Sequence, residues 1–217
     1  MKILKYLIII AIVVLPNSSL ADNWDSLYSK AKNVAENGNF LLAESYADDL
    51  QREIKFEDVS KYQYHMTLSL LRDIYYWMDV NKAISFAFKD TLLCLEIYGE
   101  NSPEFAYSLG KVAFLFGNKF DMEKSELLFS RAINILESSS INKDSTYINL
   151  LNDFALTHFL NYNLDKVVEL LDSSLFLLNE NLKKSIPGGI NSFIRGFILT
   201  EIGRIDEGRD YLEKGIE

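Results

Sequence analysis

The sequence predicts an all-α fold of stacked antiparallel helix pairs, and three observations carry that expectation. Chain breakers are scarce, with 10 Gly and 3 Pro among 217 residues, which favours long helices over a many-turned β fold. Beyond Trp24 the apolar residues recur at spacings of three and four, the stripe of an amphipathic helix. Small residues then return at a fixed period, the signature of a repeat array.

That period has two independent markers. The small position of each first helix falls at Ala31, Leu71, Ala113, Ala155 and Gly196, in steps of 40, 42, 42 and 41. The small position of each second helix falls at Ala43, Ala83, Ser125, Val167 and Gly208, with the same steps. A small side chain at both places lets paired helices approach closely, while large apolar residues around them fill the seam. Leu71 and Val167 depart from the small-residue rule, and the second copy is degenerate.

In chain order, residues 1–21 read as a secretory signal. Lys2 and Lys5 precede the apolar run Tyr6 to Leu15, and Pro16-Asn17-Ser18-Ser19-Leu20-Ala21 supplies a breaker and small residues before Asp22. The apolar run is half the roughly twenty residues a bilayer span needs, so a cleaved signal is preferred to a retained anchor. Five repeats follow, over 24–56, 60–98, 104–138, 145–183 and 189–217. The turns within pairs are expected at Asn37-Gly38-Asn39, Met78-Asp79, Gly117-Asn118-Lys119, Asn161-Tyr162-Asn163 and Gly203-Arg204. Gly99 to Pro103, Ser138 to Asp144 and Ser185 to Gly189 read as the links between pairs.

The run Gly99-Glu100-Asn101-Ser102-Pro103 looks like the Gly-x-x-x-Pro link of a known family, with Pro103 ten residues before Ala113. With the long period, it makes residues 24 to 217 resemble the tetratricopeptide repeat, in the longer variety seen in kinesin light chains. The resemblance implies a right-handed superhelical solenoid of about five helix pairs, its first helices lining a concave side. It also implies a non-catalytic scaffold that binds a protein or peptide.

Charge narrows the partners. Lys and Arg number 22 against 31 Asp and Glu, a net charge of -9. Without Met1 to Ala21, which holds two lysines and no acid, the balance is 20 against 31, or -11. Such a surface repels phosphate backbones, so no nucleic-acid partner is expected. Contact with a membrane is expected only in passing, through the signal. The expected compartment is exported, periplasmic or secreted. Cys94 is the only cysteine, so no internal disulfide can form, and its apolar neighbours Leu92, Leu93 and Leu95 point to core packing.

Read in register, the groove-facing positions of the first helices include Tyr28, Lys32, Arg72, Tyr75, Tyr76, Tyr107, Phe114, Asn149, Asn152, Phe159, Phe193 and Phe197. This aromatic set would suit an amphipathic helix or an extended peptide. Asn152 matches the asparagine that in kinesin light-chain repeats contacts peptide backbone, although Gly110 and Phe193 interrupt the ladder. Neither His65 nor His158 has a helical metal-ligand spacing, so no metal or cofactor is expected. His158 falls at a core-facing position, where a packed and hydrogen-bonded ring is expected. The Ser-x-x-Lys matches at Ser108 to Lys111 and Ser140 to Lys143 lack the companion motifs of penicillin-binding enzymes, and no catalytic residue is assigned. The alternative to a scaffold is an assembly subunit, which self-associates or joins an envelope complex through the ends of the array.

Overall fold

A computed structural model describes residues 18–53, 60–138, 145–177, 186–201 and 203–216. Residues 1–17 of the expected signal and most of the Ser138 to Asp144 link lie outside the described residues. Among the described residues ten helices follow in order: α1 Ser18–Glu36, α2 Phe40–Glu53, α3 Lys61–Tyr76, α4 Val80–Tyr98, α5 Pro103–Asn118, α6 Met122–Ser138, α7 Ser145–Leu160, α8 Leu164–Leu177, α9 Ile186–Glu201 and α10 Ile205–Ile216. No strand occurs among the described residues, and none of these helices is long and apolar enough to cross a membrane.

The chain forms two compact units, which divide after Phe86. In the first, α1 and α2 pair as a hairpin and α3 packs on both. The start of α4 returns along α3, where Phe86 stacks on Tyr75 with ring centroids 5.5 Å apart. In the second unit α5/α6, α7/α8 and α9/α10 are hairpins, and the first helices α5, α7 and α9 lie side by side. Its core runs through Cys94, Phe105, Leu109, Phe129, Leu150, Phe154 and Ile198.

The ten period markers are all buried. At the α5/α6 crossing the Ser125 hydroxyl donates to the Ala113 carbonyl at 2.8 Å, so backbone and side chain meet where both markers fall. At the α9/α10 crossing a Cβ on Gly196 would stand 2.7 Å from both the Gly208 carbonyl oxygen and the Leu212 amide nitrogen. Backbone touches backbone there, and glycine is what the contact admits.

Helix ends follow local rules. Ser102 caps α5, accepting from the Phe105 amide at 3.1 Å, and Pro103 occupies its first turn, where the missing N–H costs nothing. Ser60 and Gln63 form a reciprocal capping box at the start of α3. Two expected breaks fall elsewhere. Pro187-Gly188-Gly189 belongs to the first turns of α9 and not to a link. Gly117 and Asn118 are helical, and the turn is Lys119-Phe120-Asp121. Gly117 is buried, and a Cβ there would collide with the Thr157 methyl group on the neighbouring first helix, so this glycine serves packing.

Candidate functional site

The side-by-side first helices present a face in each unit. In the first, α1 and α3 enclose a groove of about 380 Å3. Tyr28, Lys32 and Glu36 lie one turn apart on α1, and Ser69 and Asp73 do the same on α3, with Trp77 a turn further on, so both helices aim a row at one groove. Trp77 is 67% exposed, an unusual position for so large an apolar ring. Its ring stacks on Phe40 at 5.8 Å and meets Tyr76 edge-on at 4.8 Å. Tyr28 lies nearly flat on Trp24 at 4.8 Å, and the Trp24 indole donates to the Thr67 hydroxyl at 2.9 Å. Burial, then Asp73 and nearby acidic groups including Glu36, push the Tyr28 phenol above its ordinary pKa.

In the second unit, Tyr107 on α5 and Asn149 on α7 occupy the same register and line a smaller hollow of about 180 Å3 with Pro103, Glu104 and Thr146. The Lys111 ammonium sits 4.7 Å from the Tyr107 ring centroid and 2.6 Å from Asp153. Further along, Phe193 and Phe197 on α9 are 51% and 40% exposed. Phe159 on α7 meets Phe197 edge-on at 5.4 Å. Phe114 is half-buried against the core.

Three expected groove residues are buried. Tyr75 is 3% exposed, packed on Phe86, with its hydroxyl 3.4 Å from Asp48. Arg72 is buried beside Asp73, 2.8 Å away. Asn152 is 3% exposed, and its carbonyl oxygen accepts from Asn191 of the next repeat at 3.1 Å and from Ser174 of its own repeat at 3.4 Å. A buried amide must find partners, and here these include side chains of neighbouring helices. Tyr76 is half-buried, while Lys32 is exposed.

Of the two Ser-x-x-Lys matches, the first lies on α5. Ser108 is buried and its hydroxyl donates to the Phe105 carbonyl at 2.8 Å, while Lys111 serves Asp153. Ser140 and Lys143 lie outside the described residues. His158 is 1% exposed and packs on Phe154 at 4.7 Å. Contrary to expectation, neither ring nitrogen has a hydrogen-bond partner among the described residues, and the nearest acid, Glu126, stands 3.8 Å away. Burial lowers its pKa from the ordinary 6.5, against a smaller opposing pull from Glu126.

Two features escape the sequence reading. Trp77 and Phe40 complete the first groove, and the spacing of Trp77 four residues after Asp73 was their signal. Phe120 and Tyr162 adopt left-handed backbone, with φ of 62° and 61°, and are 73% and 89% exposed. They occupy the turn position held elsewhere by Gly38 and Gly203, and the 42-residue step between them marks the equivalence.

No family model matches the chain, and no curated protein sequence matches it. Among solved structures it is similar to BtubC (BKLC) from P. vanneervenii, with a TM-score of 0.64 at 15% identity over 88% of this chain and 77% of that one. It is also similar to a Podosopora anserina putative kinesin light chain of nearly identical TPR-like repeats, with a TM-score of 0.57 at 14% identity over 89% of this chain and 93% of that one. A single-substitution variant of the latter has a TM-score of 0.59 at 14% identity, covering 89% and 92%. The chain therefore has the fold of tetratricopeptide-like repeats, and this fold is the extent of the likeness.

Proposed function

We propose that the protein is an exported, non-catalytic scaffold that binds a protein or peptide through the faces of its first helices. The observation that carries this reading is the exposure of large aromatic rings on those faces, Trp77 at 67% and Phe193 at 51%. Folding alone gains nothing from rings held in water, whereas a partner gains apolar area from them. The repeat fold supports the same reading, since stacked helix pairs create long surfaces of this kind. The charged, apolar and small-residue order of residues 1–21 supports export.

Site-specific photo-cross-linking in the native envelope tests it. A benzophenone side chain at Phe197 is expected to trap a partner. The same group at Leu127, which is 69% exposed on the second helix α6, is expected to trap none. Equal trapping at both positions, or none at Phe197, overturns the reading. Export is checked separately, by a mature N-terminus at Asp22 in the periplasmic or secreted fraction.

A further inference from the structure

The groove between α1 and α3 joins two chemistries that the fold itself does not require. Its walls are the rings of Tyr28, Phe40 and Trp77, each already braced against a neighbouring ring. Its rim carries Glu36 on one helix and Asp73 on the other, with side chains 67% and 65% exposed.

Two cations oppose this pattern only in part. Lys32 lines the groove, but its ammonium is 3.8 Å from Glu36 and its side chain 53% exposed, a loose surface pair that a ligand can displace. Arg72, almost buried, holds one oxygen of Asp73 at 2.8 Å.

An anionic ligand would meet two carboxylates. A neutral aliphatic side chain would fill the space and add nothing to the neutralisation of either carboxylate. A cation on an aliphatic stem suits the rings and both carboxylates once it displaces Lys32 from Glu36, since its charge is attracted to ring faces and carboxylates alike, and guanidinium sheds its water most readily.

We propose that this groove binds an arginine or lysine side chain of the partner polypeptide. The inference rests on the first-helix faces being the binding surface, and it adds the charge of what they bind.

The two tryptophan indole N–H signals give the test, because Trp24 is buried and bonded to Thr67 while Trp77 is exposed. The protein is titrated with N-acetyl-arginine amide and, in parallel, with N-acetyl-norleucine amide, a neutral side chain of similar reach. The expected result is a saturable shift of the Trp77 signal with the arginine probe and none with norleucine. Asp73→Asn and Glu36→Gln are each expected to weaken that binding by about 2- to 5-fold, the size of an exposed cation–π or ion-pair contact. An unmoved Trp24 signal in both variants shows that they are folded. An equal response to norleucine, or no saturable response to the arginine probe, overturns the inference. The two readings fail separately. Trapping at Phe197 without an arginine response sinks only the cation groove, and an arginine response without trapping sinks only the scaffold.

Discussion

Replacing Tyr162 by glycine and, separately, by alanine isolates the backbone cost of its turn. Tyr162 sits at φ 61°, where an L-residue costs roughly 1–2 kcal/mol. Glycine escapes that cost but loses about 0.4–1 kcal/mol through its freer unfolded chain. At this position Gly should therefore be more stable than Ala by about 1 kcal/mol. Removing the ring adds the same small loss to both variants. At 89% exposure it buries only roughly 20 Å2 of a side chain near 200 Å2, worth about 0.5 kcal/mol. Tyr162→Gly should then gain about 0.5 kcal/mol over the natural protein, and Tyr162→Ala should lose about as much. Thermal unfolding is the assay, and a 1 kcal/mol gap corresponds to about 2–4 °C between the two variants. The reciprocal change, Gly203→Ala, should cost about 1 kcal/mol, because nothing lies within 4 Å of the added Cβ and only backbone conformation changes. An alanine variant at 162 as stable as the glycine variant would refute the reasoning.

Gly196→Ala should destabilise by about 1–3 kcal/mol, since its Cβ would press on backbone atoms of α10. Gly110→Ala should cost less, because its Cβ would meet the end of the Leu150 side chain and no backbone atom. Urea midpoints compare the two, and an equal loss would contradict the distinction. His158 gives a pH dependence. Burial depresses its folded pKa below 6.5, so the unfolded chain takes up the proton first. Its contribution is intact above that pH and is lost as pH falls through 6.5 towards the lowered folded value. Denaturant unfolding of His158→Leu should accordingly show a smaller loss of stability between neutral and mildly acidic pH than the natural protein, and an unchanged loss would place the titration elsewhere. Lys111 and Asp153, with side chains 20% and 23% exposed, form a half-sheltered pair between α5 and α7. Asp153→Asn should cost about 1–3 kcal/mol, and adding Lys111→Met should cost less than the two single changes summed, a coupling that a double-mutant cycle reads directly.

The helices and their rhythm are legible in the order of residues alone. Apolar spacing and the ten period markers, eight of them small, depend on contacts within a repeat, and every marker is buried as its period requires. Pro103, read from the sequence as the end of a link, opens α5 instead, because a missing N–H is tolerated in a first turn. Which first-helix residues reach solvent was a different kind of question. Tyr75, Arg72 and Asn152 share the helical register of exposed groove residues, yet neighbouring helices bury them, and no spacing within one helix records how closely the next one packs. The same limit explains Gly117. A glycine near a helix end reads as a breaker, and it takes the Thr157 methyl group on α7 and the Ser125 hydroxyl on α6 to make it a packing residue. With Gly117 inside the helix, the left-handed turn passed to Phe120. Tertiary packing joined Tyr28, Phe40, Asp73 and Trp77 into one groove, because these residues come from different helices and meet only once the helices pack.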